Sequence, residues 1–528
     1  MTDVRTFGAA AKRALSSYVA YNLVNYALGF AFQILLVKTL PATEYATYMV
    51  LFGFLFALDS FLSLGVDRTL KRFIPIFVHA QDRAGMRALG RRLALVRAGT
   101  LIAFVVGLVF GHELLGGLLP TGASPGLLIA FGVWFVAYRL FQDMDSLAQG
   151  LVQHGMSVAL TTGELLLRIG TVTAVLFLSS DMTAEVVVTI SAVTLTLLDV
   201  VLAARLKQWM SSSAETGAGV DPPRSDREAL AQIPGFMAAA YGSTLGWMIA
   251  NPSVIRIVAS TGLQVTVLAA FSFLQALAGA LQRLFPGLLL LPVLEPILAG
   301  MSLRGRNDQT AAALSFIFKL DLAIVLGATI AVAIAGRDIV TLLSQAAYAD
   351  YYGILFVLFA SIFLNTIYRV FEISAALIFK QRIFLFLWPI SLISVALVYL
   401  TVDAWGLTAA LLWPLAENLV RITLLFFVFR HDGIWRSFDL ASAARLAGSA
   451  AVIGGAMLAV GVAFGISAGL PRIVFAVVAA LLFVASWLVI RPFRPAEIDL
   501  ASRMLPELGA RLRPLAMRLA RGQDDEQR

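Results

Sequence analysis

Long apolar stretches separated by short polar ones dominate this chain of 528 residues. Fourteen of them are long enough to cross a hydrocarbon core of about 30 Å at about 1.5 Å of rise per helical residue. Their approximate limits are 18–40, 45–66, 93–119, 125–147, 156–178, 183–204, 233–255, 265–291, 312–335, 352–379, 383–402, 405–429, 444–468 and 472–490. Positions three and four apart share a helix face, and polar residues inside several spans follow that spacing. The first span carries Asn22, Asn25 and Gln33, the fourth Arg139, Gln142, Asp143 and Ser146, and the fifth Thr161, Glu164 and Arg168. The eighth carries Ser272, Gln275, Gln282 and Arg283, the tenth Asn365, Tyr368, Arg369 and Glu372, and the twelfth Glu417, Asn418 and Arg421. A protein that only anchored itself would not need such faces.

Composition fixes the class as an all-α polytopic membrane protein with 14 transmembrane helices. With 59% hydrophobic and 14% charged residues, the chain has more apolar surface than a water-soluble core can hide. No cysteine is present, which excludes disulfides and thiolate metal sites. His79, His112, His154 and His431 are too widely scattered for a zinc motif, so no metal site is expected. The amino terminus is polar up to a full-length span and lacks the short apolar core of a signal peptide, so the first span is expected to remain in the mature protein. Lys and Arg crowd the connections on one side, whereas the other side carries only Lys38, Arg256, Arg337 and Arg472. The positive-inside rule then puts both termini in the cytoplasm. The net charge of +8 reads as a topology signal and an attraction to anionic membrane lipids, with no nucleic-acid partner.

The connections are short, and none has room for a soluble catalytic domain. The longest are the 67–92 loop, the 205–232 linker and the tail after 491. The linker holds Ser211-Ser212-Ser213 and Asp221-Pro222-Pro223, a composition of flexible, hydrated chain. In the tail, Leu500, Met504, Leu508 and Leu512 alternate with Arg503, Arg511 and Arg513, the pattern of an interfacial amphipathic helix over 496–520.

Three patches carry a family likeness. Gly29 to Tyr48, ending in Leu40-Pro41-Ala42-Thr43-Glu44-Tyr45-Ala46-Thr47-Tyr48, resembles the opening of bacterial polysaccharide flippases, where a long apolar helix leads through a short turn into Glu-Tyr-Gly-x-Tyr. Gly336 to Leu343 followed by Tyr348 is similar to that family's region between the ninth and eleventh helices, and Ala404-Trp405-Gly406-Leu407-Thr408-Ala409-Ala410 to its entry into helix 12. The family belongs to the multidrug/oligosaccharidyl-lipid/polysaccharide exporter superfamily. Ala46 stands where that motif has glycine, and Gln345-Ala346-Ala347 where a Phe-Gly turn is common. The resemblance implies two six-helix lobes around a central cavity plus two C-terminal helices. Laid on this chain, it implies an N-terminal lobe over 1–204, the linker 205–232, a C-terminal lobe over 233–430, two added spans over 431–490 and a basic cytoplasmic tail over 491–528.

Seven basic residues lie at membrane depth: Arg97, Arg139, Arg168, Arg283, Lys319, Arg369 and Arg421. Each costs about 2.5–3.5 kcal/mol at a helix centre, so such residues face a bundle interior or a watery path. Four have an acid one turn away on their own helix: Arg139 with Asp143, Arg168 with Glu164, Arg369 with Glu372 and Arg421 with Glu417. These read either as structural pairs between helices or as cavity groups. Arg97 is near a span end and reads as snorkelling. Arg283 and Lys319 lack such a neighbour. Arg283, with Lys319 behind it, is the candidate ligand of an anionic cargo, because a guanidinium suits a phosphate through paired donors. An unseen interhelical partner is the competing reading. Asn25, Gln33 and Gln275 complete the cavity candidates. Asp59, Asp199 and Glu164 are candidates for ion coupling, since taking up H⁺ or Na⁺ removes the cost of an isolated intramembrane carboxylate. Pro286, Pro389 and Pro414 are expected to bend their helices, and Gly461 and Gly465 to form a packing contact.

The resulting expectation is a non-enzymatic flippase in the cytoplasmic (inner) membrane. It would move a polyprenyl-pyrophosphate-linked oligosaccharide by alternating access for surface polysaccharide assembly, with other polysaccharide-assembly proteins as partners and no cofactor beyond the coupling ion. An ion-coupled multidrug exporter of the same superfamily is the alternative. A membrane-embedded glycosyltransferase or ligase is disfavoured by the short outer loops.

Overall fold

The computed structural model describes residues 4–79, 82–151, 154–178, 181–212, 226–249, 251–289, 307–377, 380–431 and 438–498. In chain order the α-helices are α1 (Val4–Thr39), α2 (Ala42–Phe61), α3 (Val66–His79), α4 (Arg83–Phe110), α5 (His112–Leu118), α6 (Pro125–Gly150), α7 (His154–Leu178), α8 (Ala184–Ser212), α9 (Asp226–Ile249), α10 (Pro252–Ala259), α11 (Val265–Arg283) and α12 (Pro286–Leu289). They continue as α13 (Asn307–Leu343), α14 (Ile354–Leu377), α15 (Trp388–Trp405), α16 (Leu407–Phe429), α17 (Leu440–Ala463) and α18 (Leu470–Ile490), with 3₁₀ turns at Ala346–Tyr351 and Gln381–Leu387. The protein is an all-α polytopic membrane protein. Among the described residues eleven single helices are long and apolar enough to span a membrane, and α2 with α3, bent by 52°, makes a twelfth.

Local chemistry sets the helix starts. Asp82, Ser124 and Asp439 cap α4, α6 and α17 by accepting from Gly85, Leu127 and Ser442 N–H groups, which satisfies donors a helix cannot pair itself. Proline in the first turn follows the cap in α6 and again in α10, where Asn251 caps. The span expected over 233–255 is therefore broken after Ile249. The expected 67–92 loop is largely helical. In α3, Leu70, Phe73, Ile74 and Phe77 are buried at helical spacing while Arg68, Lys71 and Arg72 stay exposed, so an amphipathic helix forms where charge density suggested a loop.

Two compact units divide the chain, one comprising 1–272 with 395–407, the other 273–394 with 408–528. In the first, α6 packs on α8 and α3, α1 on α7, and α2 on α10. The bend between α2 and α3 needs Gly65: its φ is +74°, and a Cβ there would meet the Met237 carbonyl oxygen at 2.5 Å, a clash on top of a left-handed backbone. In the second unit α13 packs against α14, α17 and α18, around Ile330, Leu446, Ala450, Ala476 and Phe483.

The prolines and glycines divide by position. Pro286 begins α12 after a break and Pro414 lies inside α16, but Pro389 sits in the first turn of α15, where it starts the helix instead of bending it. Gly461 lies against the Phe475 ring, whereas Gly465 falls beyond the end of α17 with φ +60°, so the two do not form one helical packing stripe. The linker positions 213–225 and the tail from 499 onward, including most of the expected amphipathic helix, lie outside the described residues.

Candidate functional site

In the first unit the bend between α2 and α3 gathers charges from four helices. Arg139 on α6, with a side chain 0% exposed, ion-pairs Asp59 of α2, Asp67 of α3 and, at 2.8 Å, Asp143 one turn along α6. Arg97 on α4 donates to both oxygens of Asp143, at 2.5 and 2.8 Å, and to the Leu62 carbonyl at 2.8 Å. Three carboxylates thus meet two guanidiniums beside a helix break. Arg97 is 4% exposed and does not snorkel. A full ion pair at a bend meets its charge more completely than an extended side chain reaching for the interface. The sequence found the Arg139–Asp143 pair but missed Asp67, which lies in what read as a loop.

A second polar chain links α1, α7 and α8. Arg168 pairs with Glu164 at 2.7 Å and lies over the Phe32 ring at 5.2 Å, combining an ion pair with a cation–π contact. Glu164 has Thr194 of α8 at 3.3 Å, and Asn25 of α1 accepts a hydrogen bond from Thr162 at 2.7 Å. Gln33 and Asp199 each keep a buried side-chain oxygen with no hydrogen-bond partner among the described residues.

In the second unit Lys319 is 0% exposed. Its ammonium lies 2.8 and 2.9 Å from the Glu497 oxygens and 2.8 Å from Asp439. Ser315 donates to Glu497, Ser442 to Asp439, and the Arg494 N–H closes on Glu497. Burial would raise the Asp439 carboxyl, but the hydrogen bonds from Lys319 and Ser442, with the Lys319 charge, hold it well below the usual carboxylate range. The expected cargo ligand Lys319 is thereby the centre of a buried lattice joining α13, the start of α17 and the segment after α18. Nothing in the sequence signalled it, because Glu497 is 178 positions away.

The remaining candidates differ in access. Arg421 pairs with Glu417 at 3.1 Å and stacks on Tyr368 at 4.0 Å, while Ser391 donates to Glu417 at 2.5 Å. Arg369 lies 3.5 Å from Glu372, with both side chains substantially open. Gln275 is half-buried, and Arg283, the last residue of α11, is exposed. Arg139, Arg168, Lys319 and Arg421 are thus paired with carboxylates in the interior, and Arg283 and Arg369 are the candidates with the more exposed side chains. Among the described residues no three His, Asp or Glu side chains are placed to hold a metal ion.

No protein-family model and no curated protein sequence matches the chain. Solved structures do. A lipid II flippase, MurJ, in an inward closed conformation is similar over 89% of this chain and 98% of its own, with a TM-score of 0.65 at 13% identity. An inward-facing multidrug resistance MATE family transporter of the MOP superfamily is similar over 80% of this chain and 95% of its own, with a TM-score of 0.53 at 16% identity. The chain shares their fold.

Proposed function

We propose that the protein is a flippase that carries a polyprenyl-pyrophosphate-linked oligosaccharide across the cytoplasmic membrane by alternating access, with both termini cytoplasmic. The observation that carries this reading is the shared fold with a lipid II flippase, over 98% of that chain. It sits beside a set of intramembrane cations too costly to keep without a polar task. In this reading the chain is organised as an N-terminal lobe over 1–204, a C-terminal lobe over 233–430 and two added helices. Arg283 offers paired donors to the pyrophosphate and Arg369 a second guanidinium, while the polyprenyl tail stays in lipid. Arg139, Arg168 and Arg421 hold the scaffold through their acids. The surplus carboxylate among Asp59, Asp67 and Asp143 takes up a proton to drive the cycle, with Asp199 and Glu164 as further coupling candidates.

The test is complementation of a flippase-null cell. The wild-type gene should restore surface polysaccharide, and an Arg283→Ala variant at equal expression should not. Full rescue by that variant removes Arg283 from the cargo site. The likeness to a multidrug transporter keeps a second reading in view, export of cationic drugs. Drug hypersensitivity on deletion with polysaccharide unchanged would select it.

A further inference from the structure

A cleft of ≈ 780 Å³ opens within the second unit where α13 and α17 end and α18 begins, a size typical of ligand sites. Its wall is apolar, from Leu458, Val462 and Phe475, and its mouth is charged, from Arg337, Asp338, Asp350 and Arg472. Gly336 brings the Tyr352 ring to the edge: a Cβ there would meet that ring at 2.5 Å. Leu458 and Val462 are 44% and 76% exposed on a membrane-spanning helix, so the apolar wall continues onto the lipid-facing surface. The charges lie at the ends of spans, which is headgroup depth, where aromatic rings also collect.

The charged mouth is balanced but not equally fixed. Arg472 pairs with Asp338 at 3.4 Å and donates to the Ile466 carbonyl, and Asp338 accepts from the Gly469 N–H at 2.7 Å. That half is tied to the backbone. The Arg337–Asp350 pair, at 3.0 Å, has side chains 68% and 72% exposed, so water screens it and it opens at little cost. A ligand that took Arg337 with an anion alone would leave the Asp350 carboxylate facing it, and a cation alone would leave the guanidinium. A zwitterion satisfies both groups at once.

We propose that this cleft holds a zwitterionic phospholipid of the phosphoethanolamine type. Its phosphate sits on Arg337, its ammonium hydrogen-bonds Asp350, and an acyl chain lies against Leu458, Val462 and Phe475. An ammonium that carries N–H donors is required, because a quaternary amine offers Asp350 charge without a hydrogen bond. The site is separate from the cargo reading above and does not depend on it.

Native mass spectrometry of the full chain in detergent tests this, with phosphatidylethanolamine, phosphatidylcholine and phosphatidylglycerol of identical acyl chains as probes. Phosphatidylethanolamine adducts should appear at about tenfold lower lipid concentration than the other two, the worth of one charge-assisted hydrogen bond. Asp350→Asn should erase that preference, Arg337→Gln should weaken all three lipids, and Leu458→Trp should weaken all three by filling the wall. Arg337 and Asp350 are exposed, so these variants should keep the wild-type melting temperature. Equal binding of the three lipids, a preference for phosphatidylglycerol, or indifference to all variants overturns the proposal. Competition by soluble glycerophosphoethanolamine as effective as that of the intact lipid overturns the assignment to a lipid.

Discussion

Replacing Lys319 by Met tests whether the buried lattice of the second unit is structural. The ammonium is 0% exposed and satisfies two carboxylates whose side chains are 3% and 0% exposed. Methionine keeps the apolar stem but removes the charge that Asp439 and Glu497 share, leaving two buried carboxylates with Arg494, 3.4 Å from Asp439, as the remaining cation. Breaking a buried pair by removing one partner costs about 3–5 kcal/mol. At about 2–4 °C per kcal/mol for a unit of this size, the melting temperature should fall by on the order of 10 °C. Thermal unfolding in detergent, followed by the loss of monodisperse protein, reads this directly. Glu497→Gln should fall by less, since Asp439 still faces Lys319. The Lys319→Met/Glu497→Gln double variant should be milder than the sum of the two, the signature of direct coupling. Arg337→Gln, which removes an exposed pair, serves as the control, with an expected effect of about 0–1 kcal/mol. A Lys319→Met protein melting within about 2 °C of wild type would refute the reasoning.

Three further outcomes follow from the same geometry. Glu44 accepts from the Ala184 N–H at 2.7 Å, tying the first turn of α2 to the first residue of α8. Glu44→Ala should cost about 1 kcal/mol, read as a lower melting temperature, because the helix start loses its acceptor. Tyr348 is 0% exposed, its hydroxyl has no hydrogen-bond partner among the described residues, and burial pushes its phenol up to about 12. Tyr348→Phe should therefore stabilise by about 1 kcal/mol in the same assay, whereas destabilisation would reveal a partner for the hydroxyl. The depressed Asp439 carboxyl sets a pH dependence of definite sign. Its contribution is complete above the unfolded value of about 3.9 and is lost only as pH falls toward the lower folded value. The stability difference between wild type and Asp439→Asn should thus stay constant from about pH 7 down to about pH 5, and a difference that shrinks across that interval would contradict it.

Much of this arrangement was legible in the sequence because it is periodic. Apolar run length identifies eleven of the fourteen expected spans among the described residues, with the bent α2–α3 pair a twelfth, and four cation–acid pairs spaced three or four apart, Arg139–Asp143, Arg168–Glu164, Arg369–Glu372 and Arg421–Glu417, are all present. One helical turn brings such residues together whatever the rest of the chain does. Contacts between distant segments leave no such trace. Asp59 and Asp67 reach Arg139 from 80 and 72 positions away, and no spacing rule connects Arg97 to Asp143 or Lys319 to Glu497. The Glu44-Tyr45 motif was legible as a resemblance, and the structure supplies its physical content: Glu44 caps α8 and Tyr45 is buried at 0% exposure. Gly465 shows the opposite failure: the helix ends between Gly461 and Gly465, so Gly461 packs on Phe475 without it.

The most direct test of the central claim is movement of the cargo itself. The full-length protein would be reconstituted into liposomes loaded in one leaflet with a fluorescent polyprenyl-pyrophosphate-linked oligosaccharide, and exposure of the label to an impermeant quencher followed over time. Transfer between leaflets by the wild type, accelerated by a proton gradient and abolished in the Arg283→Ala variant, is the expected result. Liposomes that accumulate a cationic dye while the lipid-linked sugar stays in its leaflet would contradict the account.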